Sequence, residues 1–288
     1  MRLLRIGVLL CIAMASSVAF AKPKPQPVLP QVGPWEINYD RDSCHLLAKF
    51  GEGEQLVVAN FTRYAPGDHF NLTLYGKPVK LDGLENEATI DFGTTTAPIK
   101  VYGLSGNAAK LPMFVLSSLR LDGWKGSSSL AVPPPITADQ EARAVKVGLS
   151  FKDGHGFELD TGSMRKPIAA LRTCLSNLLK NWGYDAAVEA QLMTHPLPFG
   201  SPGNWLRSSD YPRSALAQGI SGLIQFRLDI DESGLVSGCN ILSRTGPDEF
   251  AAQTCKNIQR RARFHPAIDA QGKPVKSFYI NAVRWLAP

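Results

Sequence analysis

The chain has 288 residues, with 31 Lys and Arg against 25 Asp and Glu, and 44% of its residues are hydrophobic. The formal net charge of +6 falls to +4 without the two arginines of residues 1–21, which is too small an excess to indicate a nucleic-acid-binding protein. The remaining length is comfortable for two hydrophobic cores.

Residues 1–21 have the pattern of a secretory signal peptide. Two arginines give a positive start, an apolar run covers residues 6–14, and residues 19–21 read Ala-Phe-Ala, a small-x-small cleavage motif. The apolar run is short for a membrane-spanning helix. We therefore predict cleavage between Ala21 and Lys22 and an exported protein. The alternative is an uncleaved anchor in the inner membrane.

A proline-rich leader, residues 22–34, precedes a β-rich domain that we assign to residues 35–184. In FNLTLY the apolar Phe70, Leu72 and Leu74 alternate with polar residues, the period of a half-buried strand. Similar short runs follow one another between Gly, Asp, Pro and Asn: WEINY, LVVANFTRY, ATIDFG, IKVYGL and MFVLSSLRL. Regular turn spacing of this kind predicts a sandwich or a small barrel.

This domain is predicted to end in a helix. FELDTGSM closes a strand and turns, and KPIAALRTCLSNLLKNWG then places Leu171, Cys174 and Leu178 on one apolar face. Gly183 is typical of the residue that follows a helix. In the preceding surface loop, Thr137 and Gln140 have the spacing of a capping box.

The turn that begins at Asp160 reads Asp-Thr-Gly-Ser, like an aspartic-protease loop. Such an enzyme needs two carboxylates about 3 Å apart, and therefore a second loop or a symmetric homodimer. The sequence has no second Asp-Thr-Gly or Asp-Ser-Gly, and a helix follows the turn. We interpret Asp160 as a turn and cap residue and predict no enzyme. An envelope hydrolase with a site near Asp160 is the alternative from another functional class.

Four cysteines remain outside the signal peptide, an even number that indicates two disulfides in an exported protein. Three pairings are possible by count. Cys174 faces inward from its helix, and Cys44 is the other cysteine of the β-rich domain. We therefore predict the pairs Cys44–Cys174 and Cys239–Cys255, the second joining a strand to a helix. No zinc or redox motif is present, and the five histidines are scattered, so we predict no metal and no cofactor.

A linker at residues 185–204 leads to a second unit, residues 205–288. GLIQFRLDIDESGLVSGCNIL predicts a hairpin turned at DESG, TGPDEFAAQTCKNIQRRARF predicts a helix, and KSFYINAVRW predicts a closing strand. A short helix is expected around YPRSALAQG. The chain as a whole is therefore predicted to be α+β.

The second unit resembles the C-terminal domain of TonB, the energy transducer of Gram-negative outer-membrane transport. The likeness is carried by Tyr211-Pro212, Gly219, Gly222, the alternating strand to Asp231, Gly234, Ser243 to Gly246, and RARFHPAIDAQGKPV with Phe264, Pro266, Ala267 and Gly272. The resemblance implies three antiparallel strands packed with two helices. It also implies a protein-binding domain that takes up an extended segment of a partner as an added strand.

On this resemblance the last strand is the candidate binding edge. Its six central residues alternate between two faces: Phe278, Tyr279, Ile280, Asn281, Ala282 and Val283. The implied partners are segments of outer-membrane or periplasmic proteins, with a role linked to TonB-dependent transport. Peptidoglycan is a further possible partner, because four cations crowd the end of the preceding helix: Lys256, Arg260, Arg261 and Arg263.

Two features depart from a membrane-anchored energy transducer. The N-terminal apolar segment contains no histidine, and the leader KPKPQP is much shorter than a Pro-Lys spacer that crosses the periplasm. The sequence therefore favours a periplasmic binding protein, with the anchored transducer as an alternative. The oligomeric state is not indicated.

Overall fold

The computed structural model describes residues 26–95, 97–124 and 134–287. The predicted signal peptide, the start of the leader and residues 125–133 of the surface loop lie outside the described residues. No described helix has both the length and the apolar character needed to cross a membrane.

The N-terminal domain is a closed barrel, so the sandwich alternative is wrong and the barrel alternative is confirmed. Its strands pair in the order β1-β2-β3-β4-β7-β6-β5-β8-β9. The strands are β1 Val28–Tyr39, β2 Cys44–Phe50, β3 Val57–Arg63, β4 Phe70–Tyr75, β5 Glu85–Asp91, β6 Ile99–Ala108, β7 Leu111–Leu119, β8 Lys146–Phe151 and β9 Gly156–Asp160. β1 starts within the predicted leader.

The barrel closes through its first and last strands, β1 and β9. They run parallel, with Val28 opposite Glu158 and Pro30 opposite Asp160. The other neighbouring strands of the barrel pair antiparallel. Closure of this kind gives every strand a partner on both sides, which removes free edges from the domain.

Aromatic side chains fill much of the barrel interior, because alternate strand residues point inward. Trp35 lies edge-on to Phe50 at a ring-centroid distance of 5.9 Å, and Phe61 contacts Phe70 at 5.1 Å. Further fully or nearly fully buried rings belong to Phe92, Phe114, Phe151 and Phe157. This cluster makes one continuous core with the helix described next.

The barrel domain has two helices, one between β7 and β8 and one after β9, and both are close to the sequence prediction. In α1, Ala138–Arg143, Thr137 and Gln140 form the predicted capping box. The longer α2, Arg165–Asn181, buries its predicted apolar face, and Gly183 follows it at φ +82°. The sulfur atoms of Cys44 and Cys174 are 2.01 Å apart, so the predicted pair joins α2 to β2.

The segment between the two domains packs on the C-terminal domain. Asp185 caps α3, Ala186–Ala190, and β10, Leu197–Pro198, pairs with β13, Phe264–His265. The predicted linker therefore carries short ordered elements of its own.

The C-terminal domain is a three-stranded antiparallel sheet with two helices, as the resemblance implies. The sheet order is β12-β11-β16, with β11 at Gly222–Ile230, β12 at Val236–Arg244 and β16 at Ser277–Trp285. The helices are α4, Arg213–Ala217, and α5, Asp248–Arg261, and a small ribbon joins β14, Ala267–Ile268, to β15, Pro274–Val275.

The apolar side of this sheet packs on α5. Ile224, Phe226 and Leu228 are buried there, and the rings of Phe250 and Trp285 stack at 5.3 Å. The sulfur atoms of Cys239 in β12 and Cys255 in α5 are 2.02 Å apart, the second predicted pair. Gly234, in the hairpin turn, has φ +80°, and a Cβ atom there would lie 1.9 Å from the Phe264 carbonyl oxygen. This turn therefore requires glycine.

Candidate binding edge and its surroundings

The predicted edge, Phe278–Val283, lies in the middle of β16 at one side of the three-stranded sheet. Among the described strands β16 pairs with β11 alone. Its register with β11 is regular over nine residue pairs, from Ser277 opposite Ile230 to Trp285 opposite Gly222. An outer row of backbone amide and carbonyl groups is therefore left without a strand partner.

The register identifies which backbone groups form this outer row. The Thr245 amide donates to the Leu223 carbonyl at 2.8 Å, so the backbone of Leu223 faces the β12 side. In an antiparallel sheet successive residues direct these groups to opposite sides, which turns Ile224 and Phe226 towards β16. Their partners Val283 and Asn281 therefore face β11. The outward groups belong to the alternate residues Phe278, Ile280, Ala282 and Arg284.

Side chains of the strand itself satisfy one of these outward donors. The Ala282 amide donates to Asn281 Oδ1 at 2.8 Å, and Asn281 Nδ2 donates to the Tyr279 hydroxyl at 2.9 Å. Burial raises the pKa of Tyr279. Asn281 thus acts as a local cap on the edge, and an added strand must displace that cap at Ala282.

The two faces of β16 have different surroundings. Tyr279 lies on the α5 side, with ring centroids 5.0 Å from Phe264 and 5.9 Å from Trp205. Phe278 lies on the other side, 5.2 Å from Tyr184 and 5.6 Å from Trp182. Tyr184 and Trp182 directly follow α2, so this second face meets the barrel domain.

Three polar contacts also join this face of the sheet to the barrel domain. The Arg227 guanidinium lies over the Trp182 ring at 4.0 Å. Asn71 Nδ2 donates to Gln225 Oε1 at 3.1 Å, and Arg284 Nη1 donates to Glu85 Oε1 at 2.9 Å. The barrel therefore covers one face of the sheet, although the edge of β16 keeps no strand partner among the described residues.

Tyr184 joins the two domains through a hydrogen-bond network. Its hydroxyl donates to Asp229 Oδ1 at 2.8 Å and lies 3.2 Å from the Ser277 carbonyl oxygen. Arg227 Nε and Asn240 Nδ2 also donate to the Asp229 carboxylate. Burial and the Asp229 charge raise the pKa of the Tyr184 phenol, which therefore remains a donor.

This interface was not predicted from the sequence. Arg227 and Asp229 alternate with apolar residues, a pattern that is the same whether the polar face meets water or another domain. The Trp-Gly-Tyr run directly after α2 was the available signal, because two large aromatic rings at a helix end need a surface to pack on.

Asp160 lies at the exposed end of β9, where its Oδ1 accepts from the Gly162 amide at 3.3 Å. This is a turn contact that fits the interpretation of Asp160 as a turn residue. Thr161, by contrast, is buried. Among residues 26–95, 97–124 and 134–287, no group of three or more His, Cys, Asp or Glu side chains is arranged to hold a metal ion.

The basic cluster at the end of α5 is partly engaged in structure. Arg261 Nη2 donates to Asp210 Oδ1 at 2.9 Å, and its Nη1 donates to the Trp205 carbonyl at the same distance. Arg263 Nη1 donates to the Ala262 carbonyl at 2.7 Å. Arg261 therefore ties α5 to the segment that precedes α4, and its charge is matched by a carboxylate.

Residues 207–286 match the family model described as Gram-negative bacterial TonB protein C-terminal. The match covers the three-stranded sheet with α4 and α5, and it supports an envelope protein linked to outer-membrane transport. No curated protein matches the chain significantly.

Proposed function

We propose that this protein is a periplasmic binding protein whose C-terminal domain captures an extended segment of an outer-membrane or periplasmic partner. The segment adds to the sheet as a fourth strand beside β16. The single observation that carries the proposal is that the outer row of β16 has no described strand partner, with the backbone groups of Phe278, Ile280 and Ala282 directed away from β11.

Physical chemistry favours an added strand at this position. Each backbone hydrogen bond gained by a partner contributes roughly 0.5–1.5 kcal/mol, and several form together along a strand. Side chains on the two faces of β16 add modest selectivity. The α5 side presents Tyr279 and Val283, whereas the barrel side presents Phe278 and Ile280 beside the domain interface.

The barrel domain supports this proposal by holding the sheet in place. It contacts the face that contains Gln225, Arg227 and Arg284 and leaves the edge unpaired by any described strand. In this proposal the barrel replaces the membrane anchor and spacer as the attachment of the binding domain, and the protein works without a catalytic step.

The test is a pair of substitutions at Ile280 that separates its backbone from its side chain. Ile280→Pro removes an outward amide, which an edge strand tolerates because that amide has no partner within the sheet. Ile280→Ala removes most of the side chain and keeps the amide. The measurement is site-specific crosslinking from β16 in envelope extract, followed by affinity for the partner segment so identified.

We expect Ile280→Pro to weaken binding of that segment by about tenfold or more, and Ile280→Ala to change it by less. Thermal unfolding checks that both variants keep their fold. Tyr279→Pro is the opposite control, because the Tyr279 amide faces β11 and its loss should destabilise the sheet itself. Equal binding by wild type and a folded Ile280→Pro variant would contradict strand addition.

A further inference from the structure

A cavity of about 890 Å³ lies at the surface of the barrel, beside β5, β6 and the turn that joins β8 to β9. All the residues that line it belong to the barrel domain, so the cavity is separate from the candidate edge of β16. Small-molecule sites occupy roughly 300–1,000 Å³. This cavity therefore has room for a ligand of several linked rings.

Tyr102 presents an aromatic ring in this cavity. The residue is 62% exposed and lies in β6, opposite Glu87 of β5. Hydrogen bonds from Lys100 and from the Tyr102 hydroxyl lower the pKa of Glu87, so its carboxylate is ionised at neutral pH. Lys100 Nζ also lies 5.5 Å from the centre of the Tyr102 ring. These contacts hold the ring in one position and leave most of it accessible.

Negative and positive groups surround this ring in equal number. Four carboxylates line the cavity: Asp82, Glu85, Glu87 and Asp153. Lys80 and Lys152 also line it, and two further cations pair with lining carboxylates. These are Lys100, which contacts Glu87, and Arg284, whose Nη1 lies 2.9 Å from Glu85 Oε1. With His155, which contacts Asp153, counted as neutral, four negative charges meet four positive charges. The lining therefore favours a ligand without net charge.

The strands around the cavity argue against two other kinds of ligand. β5 and β6 each have a strand neighbour on both sides, so neither offers a free backbone row to an extended peptide. Within residues 26–95, 97–124 and 134–287, the carboxylates of the cavity do not form a group of three that could hold a metal ion. The cavity wall thus carries hydrogen-bond donors and acceptors around one aromatic ring, without a net charge.

We propose that this cavity binds a chain of neutral hexopyranose sugars, with one sugar ring stacked on Tyr102. A pyranose ring has an apolar face of C–H groups that matches an aromatic ring, and a rim of hydroxyl groups that both donate and accept. The carboxylates accept from such hydroxyls, the lysine ammonium groups donate to them, and no charge has to be neutralised. This site is independent of strand addition at β16.

A chain is favoured over a single sugar because Tyr102 lines two cavities. The second cavity, about 360 Å³, extends from Tyr102 to Trp124. The Arg120 guanidinium lies 5.9 Å from the centre of the Trp124 ring and restrains it, as Lys100 restrains Tyr102. Consecutive sugar rings can therefore meet an aromatic side chain at either end of this stretch.

Two sources of such a chain share this chemistry, amino-sugar chains and glucose chains, and the experiment has one arm for each. The probes are chitotetraose and cellotetraose, the neutral tetramers of N-acetylglucosamine and of glucose. Tetralysine is the competing probe, because a basic peptide is the other ligand that four carboxylates would attract. Each probe is titrated into the full-length mature protein by isothermal titration calorimetry.

We expect saturable binding of at least one tetrasaccharide, tighter than binding of its monosaccharide by about tenfold or more. Tyr102→Ala should weaken this binding by about tenfold or more, whereas Tyr102→Phe keeps the ring and should stay within about threefold of the wild type. Tyr39→Ala removes an exposed tyrosine from the end of β1 and should leave the affinity unchanged. Binding of a neutral chain should also be equal at low and high salt, a result that needs no variant.

The proposal is overturned if neither tetrasaccharide binds saturably, or if a folded Tyr102→Ala variant binds as tightly as the wild type. Equal affinities for tetrasaccharide and monosaccharide would contradict a chain as the ligand and overturn it too. Salt-dependent binding of tetralysine where both tetrasaccharides fail would overturn it and assign the cavity to a basic peptide. Binding of one tetrasaccharide alone supports the proposal and identifies the kind of sugar chain. Ile280→Pro should not change these affinities, so failure of strand addition is distinguishable from failure of this site.

Discussion

The nine barrel strands each have a neighbour on both sides, whereas the outer strands of the C-terminal sheet have one described neighbour each. The barrel strands satisfy their backbone hydrogen bonds within the domain. The barrel encloses an aromatic core and covers one face of the C-terminal sheet. The small sheet leaves the outer backbone rows of β12 and β16 without a described strand partner, and a partner protein can use such a row. The comparison shows how one chain combines a closed scaffold with an open binding edge.

Removal of each disulfide is the test of this contrast with the largest expected effect on the free energy of unfolding. Cys44–Cys174 spans 130 residues and fastens α2 to the barrel, whereas Cys239–Cys255 spans 16 residues within the small domain. In the chain-entropy model these loops contribute about 5 and about 3 kcal/mol. We expect the double variant Cys44→Ala/Cys174→Ala to lose more unfolding free energy than Cys239→Ala/Cys255→Ala, as measured by denaturant titration.

That test also separates the domains if each unfolds with its own transition. Near-ultraviolet circular dichroism reports the barrel aromatic cluster, and an amide probe in β16 reports the sheet. Loss of the longer bridge should shift mainly the barrel transition. A larger loss of unfolding free energy on removal of Cys239–Cys255 would contradict this expectation. It would show that Cys44–Cys174 stabilises the barrel less than its loop length indicates.

Tyr184→Phe tests the contact between the two regions. The substitution removes a buried hydroxyl that donates to Asp229 and keeps the ring that packs on Phe278. We expect a loss of about 1–2 kcal/mol in unfolding free energy. Val188→Ala, at an exposed site in α3, is the control and should have a much smaller effect. A loss of unfolding free energy below a few tenths of a kcal/mol in Tyr184→Phe would mean that the hydroxyl does not stabilise the interface.

Glu189 offers the smallest and most specific test, through pH. Its Oε2 accepts from Ser277 Oγ at 3.0 Å beside the start of β16, and burial raises its pKa to about 6. The folded state therefore holds this proton more tightly than the unfolded chain. The resulting stabilisation is fully present below the unfolded pKa of about 4.5 and is lost as the pH rises through about 6.

The corresponding variant is Glu189→Gln, which does not titrate. Melting temperatures measured from pH 4.5 to pH 7 should fall more steeply for the wild type than for Glu189→Gln. Parallel curves over that range would show that Glu189 has the same proton affinity in the folded and unfolded chains.

Much of this architecture was predictable from local patterns. The alternation in residues 70–75, the apolar face of α2 and the cysteine placement each depend on periodicities that neighbouring residues determine. The order of strands in the barrel was not predictable, because the pairing of β4 with β7 and of β5 with β8 depends on contacts distant in the chain. Sandwich and barrel therefore remained equivalent from the sequence.

The candidate edge was predictable in position but not in orientation. Alternation in β16 defines two sets of residues, yet it does not tell which set directs its amides outward, since that depends on the register with β11. The burial of Arg63 could not be predicted for a related reason. An arginine at a strand end gives no sign in the sequence that the barrel will enclose it.

The parallel seam between β1 and β9 has a consequence for how this protein is made. Its two strands are about 130 residues apart in the chain. The barrel therefore stays an open sheet until Glu158 and its neighbours have been synthesised. Contacts of such long sequence separation form slowly. Throughout that interval the nascent domain presents two unpaired rims, whereas the small sheet, built from the last 67 residues of the chain, can assemble as soon as its own strands are available.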